Sequence, residues 1–185
     1  MPLIVEDGTG LPAAESYISL DSLKAYAAGR GVDISGFTDE QNESALRRAT
    51  TYIDGKYRKQ LQSGRWVSLF SGEKKNGRGQ ALEWPRSGAE DYEGFPISDS
   101  TVPVEVKNAT AEAGYREALN PGSLSPDFVS ASMVKREKVG PLETEFAVSV
   151  GADAAGSVRP VISIIDEMIA PVLVARYTLP AVFTV

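Results

Sequence analysis

The hydrophobic and polar positions of this chain form four stretches with a helical period, separated by segments that have none. The clearest stretch runs from Thr38 to about Leu61. Along it Leu46, Ala49, Ile53, Tyr57 and Leu61 recur at three and four, Ala45 and Tyr52 widen the stripe, and Glu43, Arg47, Arg48, Asp54, Arg58 and Lys59 take the other face. Thr38-Asp39-Glu40-Gln41 has capping-box spacing, in which Thr and Gln satisfy two backbone donors that lack helical partners. Gly55 inside this helix costs about 1 kcal/mol relative to Ala and predicts a close helix crossing or a slight bend. A shorter helix is expected before it, capped by Ser19 or Asp21, with Leu20, Leu23, Tyr26 and Ala27 on one side and a stop at Gly29-Arg30-Gly31. Another begins near Ser100-Thr101, accepts Pro103 in its first turn, and passes through Val106, Ala109, Ala113, Tyr115 and Leu119 to Asn120-Pro121-Gly122. Its small-sided middle, Ala109 to Gly114, predicts tight packing. The last helix is capped by Ser157, carries Val161, Ile162, Ile164, Ile165, Met168 and Ile169, and ends near Pro171.

The segments between these helices predict arms, a loop and a hairpin. Residues 1–15 mix Gly, Pro and apolar positions and suit an arm lying on something else. Residues 63–100 show no period, and a stretch that long points to a functional loop or a partner-binding segment. Val134-Lys135-Arg136-Glu137-Lys138-Val139, the turn Gly140-Pro141 and Leu142 to Val148 predict a β-hairpin within 132–149, its first strand net basic and its second net acidic. Such a hairpin is marginal alone and is expected to extend a sheet supplied by another chain, which makes Lys135, Arg136, Lys138, Glu143 and Glu145 candidate interface residues. The tail from Val172 to Val185 has Arg176 as its only charge, so burial is expected for it, and Ile165, Met168, Tyr177, Leu179 and Phe183 join the candidate contacts. The expected fold is therefore mainly α: a small bundle of about four helices in a single domain of 1–185, with a body at 16–122, a long central loop, a hairpin, and extended N- and C-terminal arms, the latter at 157–185.

Composition narrows the function. The chain has no Cys and no His, which removes disulfide scaffolds, thiolate nucleophiles, the usual general base and the commonest transition-metal ligands. An enzyme is not expected, nor any cofactor or metal. The formal net charge of -6 argues against a protein that wraps nucleic acid over its whole surface, while leaving room for a local basic patch. The N-terminus lacks a signal-peptide pattern, so synthesis in a cytoplasm is expected and no membrane partner is.

One local patch stands out. Lys56, Arg58, Lys59, Arg65, Lys74, Lys75 and Arg78 are interleaved with Trp66 and Phe70, and cations that track a backbone beside rings that stack on bases are the chemistry of single-strand binding. The alternative is a solvated helix end whose aromatics, Trp66 among them, seal a core or an interface. Trp84-Pro85-Arg86 is a rigid apolar anchor beside an Arg, suited either to an interface hot spot or to a lid on the chain's own core. Ser71-Gly72-Glu73-Lys74-Lys75-Asn76-Gly77-Arg78-Gly79 lacks the spacing and the Lys-Ser/Thr pair of a phosphate loop. The acidic pairs Asp166-Glu167 and Glu143 with Glu145 read as solvated faces.

The order of Ala45-Leu46-Arg47-Arg48-Ala49-Thr50-Thr51-Tyr52-Ile53-Asp54, Gln80-Ala81-Leu82-Glu83-Trp84-Pro85-Arg86, Val102 to Thr110 and Val134 to Glu143 resembles tailed-phage proteins described as DnaT-like single-stranded-DNA-binding proteins. It also resembles the head-tail connector (adaptor) proteins of lambda-like siphophages. The connector resemblance implies a structural virion protein of the phage neck, made in the host bacterial cytoplasm. Its partners would be its own copies in a ring, dodecameric by that likeness, the portal protein, a downstream neck or tail protein, and DNA passing through the channel without sequence recognition. The portal contact would fall at 157–185. The DnaT-like resemblance implies instead an accessory protein that binds single-stranded DNA.

Overall fold

The computed structural model describes residues 2–126 and 161–174 in full, and 136–139 and 142–145 as backbone. Four α-helices lie within these residues: α1 (Leu20–Gly29), α2 (Asp39–Lys56), α3 (Val104–Leu119) and α4 (Ser163–Ile169). The sequence explains where the first two begin. Ser19 accepts from the Ser22 amide to cap α1, and the Thr38–Gln41 capping box forms with both of its hydrogen bonds.

Helix α3 is the centre of the structure, packed against α1, α2 and α4. Its middle is buried all round because its side chains are small: Ala109, Thr110, Ala111, Ala113 and Gly114 let three helices approach. A Cβ at Gly114 would come within 3.1 Å of Leu23 Cδ1 and Leu46 Cδ2, so the glycine sets the distance at which α1 and α2 meet α3. One apolar cluster joins Leu23, Ala27, Ile34, Leu46 and Tyr115; another joins Tyr17, Ile53, Tyr57, Phe70, Trp84, Val106, Ile165 and Ile169. Two carboxylates of α3 are buried with partners. Glu112 accepts from Tyr115 Oη at 2.6 Å and pairs with Arg116 at 2.7 Å. Glu117 accepts from the Gly122 and Leu124 amides at 2.6 and 3.2 Å and from Arg48 Nε at 2.6 Å, which folds the chain back after the helix ends.

Four expectations about local structure need correction. Helix α3 begins at Val104 with Pro103 as its N-cap, not near Ser100-Thr101 with Pro103 in its first turn. Helix α2 stops at Lys56, not near Leu61, because the next residues leave as strand β1 (Arg58–Gln60), paired antiparallel with β2 (Trp66–Ser68) across a turn in which Gly64 takes φ 80°. Leu61 therefore sits exposed at a hairpin tip and does not continue the apolar stripe. Gly55 marks neither a crossing nor a close contact: nothing lies within 4 Å of where its Cβ would be. Helix α4 begins at Ser163, and Ser157 lies outside the described residues.

The central stretch is irregular yet firmly placed. Strands β3 (Glu73–Lys74) and β4 (Arg86–Ser87) pair antiparallel, and Phe70, Leu82, Trp84 and Ala89 enter the core. The chain after α4 lies along it, with Ser71 N donating to Val172 O at 3.0 Å and Val174 N to Leu69 O at 2.8 Å. The N-terminal arm is held by its own acid: buried Glu6 accepts from the amides of Gly8, Gly10 and Leu11 at 2.8 to 2.9 Å. Strands β5 (Arg136–Val139) and β6 (Leu142–Glu145) form the expected antiparallel hairpin, in a register that sets Arg136 opposite Glu145 and Lys138 opposite Glu143.

Candidate nucleic-acid interface

The β1–β2 hairpin gathers Arg58, Lys59, Arg65 and Trp66 out of the basic and aromatic residues that the sequence singled out. Cross-strand neighbours share a face of the pleat, so Gln60 with Trp66 and Arg58 with Ser68 form one side, and Lys59 with Val67 the other. Arg58, Lys59, Arg65 and Trp66 are exposed, Trp66 to 63 % of its surface. No acidic residue occurs from Gly55 to Gly72, so the hairpin is a local positive feature on a chain of net charge -6. Gln60 Nε2 donates to Gly64 O at 3.1 Å across the turn, and Leu69 N donates to Tyr57 O at 2.8 Å at its base.

The other cations of the candidate cluster are placed differently. Lys56 is half-buried, 2.8 Å from Asp166 Oδ1 and over the rings of Tyr52 and Tyr57, so its charge is spent inside the fold. Lys74 and Lys75 are half-buried on and after β3, Lys75 at 4.0 Å from Asp99, while Arg78 is exposed in the adjoining 3-10 turn Gly77–Gly79. Phe70 is not available to bases: it packs edge-on against Trp84, with ring centres 5.9 Å apart, in the core.

Beneath the hairpin lies a buried polar cluster that sequence reasoning missed. Tyr17 Oη donates to Asp54 Oδ1 at 2.5 Å and accepts from the Glu83 and Trp84 amides at 3.0 and 3.2 Å; Asp54 Oδ2 also accepts from Glu83 N at 3.1 Å. Asp54 was expected on the polar face of α2 and is instead 8 % exposed. Burial pushes its carboxyl up to about 7 against the opposing pull of those two hydrogen bonds. Burial also pushes the Tyr17 phenol well up, with the Asp54 charge adding to it. Glu83 extends the cluster outward: one oxygen takes Arg86 Nη1 at 3.0 Å and the other takes Arg58 Nη2 at 3.0 Å. Arg86 donates also to the carbonyls of Ser71 and Gly72 at 2.7 and 2.6 Å, and Gln80 to those of Leu82 and Pro85. The base of the hairpin is thus tied to a satisfied polar core through Arg58.

This cluster corrects the interface expectation for Trp84, Pro85 and Arg86. All three are buried in the chain's own core, Trp84 completely, so the Gln80–Arg86 motif clasps the chain to itself and presents no anchor to a neighbour. Ile165 is likewise buried in the core, and Met168 is half-buried with its sulfur 3.9 Å from Tyr26 Oη. Asp166 serves an ion pair with Lys56 and accepts from Tyr57 Oη at 2.8 Å. Lys135, Tyr177, Leu179 and Phe183 lie outside the described residues, and Arg136, Lys138, Glu143 and Glu145 are placed by backbone register alone.

Among the described residues no group of three or more acidic side chains is gathered to hold a metal ion, and no helix is long and apolar enough to cross a membrane. No curated protein and no solved structure matches the chain. A family model does, over residues 1–184, under the description "Putative DnaT-like ssDNA binding protein", and the chain belongs to that family.

Proposed function

We propose that this protein binds single-stranded DNA without sequence preference, as a non-enzymatic accessory protein, and that the β1–β2 hairpin carries the contact. The observation behind this reading is Trp66, exposed on a hairpin that also carries exposed Lys59 and Arg65 and has no acidic neighbour in sequence. An exposed indole offers a face to any unpaired base, worth roughly 1 to 3 kcal/mol per stacked base, and the cations follow the phosphates. The family description supports the same reading. Titration of a labelled oligonucleotide in low salt, followed by anisotropy, tests it. Binding is expected to weaken as salt rises, Trp66→Ala to lower affinity by about tenfold or more, and Lys59→Ala with Arg65→Ala to flatten the salt slope by about 1.4. Binding that ignores both salt and Trp66 would overturn it.

A second reading, a ring-forming phage head-tail connector between portal and a downstream neck or tail protein, is favoured by one observation: β5 and β6 pair only with each other among the described residues. A two-stranded ribbon gains stability from a third strand, which a neighbouring copy could supply. Electron microscopy of the chain mixed with portal protein tests this, a ring being expected and an unaltered portal counting against it.

A further inference from the structure

Two large aromatic side chains stand in water at one loop tip, far in sequence from the hairpin. Tyr92 and Phe95 are 65 % and 63 % exposed. The loop that bears them is closed at its base, with Ile97 N donating to Ala89 O at 2.8 Å, and the backbone of Tyr92 itself is held by its amide donating to Pro171 O at 3.0 Å. Exposed rings presented together on an ordered loop mark a contact surface. The chemistry around them selects the partner. From Ser87 to Val106 the chain has Glu90, Asp91, Glu93, Asp99 and Glu105 and no cation, the inverse of the stretch from Gly55 to Gly72, which has Lys56, Arg58, Lys59 and Arg65 and no acid. Among the described residues none of Lys59, Arg65, Glu90 and Glu93 has an ion-pair partner.

We propose that the aromatic tip at Tyr92 and Phe95 docks on the Trp66 hairpin of a second copy of this chain, rings against ring and acids against cations, so that self-association and single-stranded DNA compete for the hairpin. The competition rests on the function proposed above; the docking does not. Because the two patches differ, each pair joined by one such contact leaves one tip and one hairpin free, and assembly continues until a ring closes or a filament grows. The contact is small, which places its affinity in the weak class and makes assembly sensitive to concentration and salt.

Charge exchange on the full chain tests this. One variant carries Glu90→Lys and Glu93→Lys, another Lys59→Glu and Arg65→Glu; all four positions are exposed, and Asp91, whose Oδ1 holds the Glu93 and Phe95 amides, is left alone. Sedimentation velocity at about 50 mM salt and up to about 100 µM protein should show the native chain forming species larger than a dimer. Each variant alone should associate about tenfold more weakly, and an equal mixture of the two should recover assembly, since each now offers the charge the other lacks. A native chain that stays monomeric assigns the tip to some other partner and overturns the proposal; so does a mixture no more associated than its components. Oligonucleotide binding measured on the same samples separates the two claims. Intact binding with no assembly sinks only the docking, and recovered assembly without DNA binding sinks only the nucleic-acid function.

Discussion

Replacing Tyr17 by Phe removes one oxygen and nothing else, yet that oxygen makes three hydrogen bonds inside the core. Two of the losses are unequal. Glu83 N keeps Asp54 Oδ2 at 3.1 Å, whereas Trp84 N, whose acceptor is Tyr17 Oη at 3.2 Å, is left buried without that partner. An orphaned buried amide costs about 1 to 3 kcal/mol, and the lost bond to an ionised Asp54 about 1.5 to 3 more. Sharing between neighbours reduces the sum, so Tyr17→Phe is expected to cost about 3 to 4 kcal/mol at pH 8. Tyr115→Phe is the matched control. Its hydroxyl also donates to a buried carboxylate, but Glu112 keeps Arg116 at 2.7 Å and Tyr26 Oη at 3.1 Å, so its cost should be about 1 kcal/mol. Urea unfolding followed by circular dichroism measures both. With a slope of about 2 kcal/mol per molar, the midpoint should fall by roughly 1.5 to 2 M for Tyr17→Phe and by about 0.5 M for Tyr115→Phe. Equal shifts, or a Tyr17→Phe midpoint within about 0.3 M of the native one, would refute the assignment of the Gln80–Arg86 motif as an internal clasp.

Three further outcomes follow from the same packing. Asp54 holds its proton in the folded chain up to about 7 but releases it near 3.8 when unfolded, so the stability it contributes is complete below that lower value and is lost as pH rises through 7. The native chain should therefore lose more stability between pH 5 and 8 than Asp54→Asn does, by at most about 2.7 kcal/mol, as read by urea midpoints at each pH. Gly72→Ala should cost more than about 2 kcal/mol, because the backbone there has φ 69° and the new Cβ would lie 2.5 Å from Ser87 O, and thermal melts will show it. Gly55→Ala should raise stability by about 0.5 to 1 kcal/mol in the same assay, since the helical site is open and the alanine relieves the unfolded chain of entropy.

Periodicity and capping chemistry are local, and the parts of the structure that depend on them were readable from the sequence. The Thr38–Gln41 box, the Ser19 cap and the small-sided middle of α3 each follow from residues within one or two turns of each other. The end of α2 was not readable, because Tyr57, Arg58 and Leu61 continue its apolar and polar spacing while the competing hairpin depends on a turn at Gly64 and a partner strand at Trp66. The buried cluster depends on pairs 37 and 29 residues apart, Tyr17 with Asp54 and Asp54 with Glu83, and nothing in the local pattern distinguishes such an acid from one on a solvated face. For the candidate site the sequence identified Lys59, Arg65 and Trp66 by type, but only the fold separates them from Lys56, neutralised by Asp166, and from Phe70, buried in the core.

The indoles provide the most direct test of the proposed function. Trp84 is fully buried and Trp66 is 63 % exposed, so stacking on an unpaired base should alter the emission of Trp66 alone. Titrating the native chain with single-stranded oligonucleotide in low salt should quench the red, solvent-exposed part of the tryptophan emission, and Trp66→Phe should abolish that quenching while the blue Trp84 emission stays constant. A duplex of the same length should quench far less. Emission that is unchanged by single strands, or quenched equally by duplex, would contradict single-strand recognition by this hairpin.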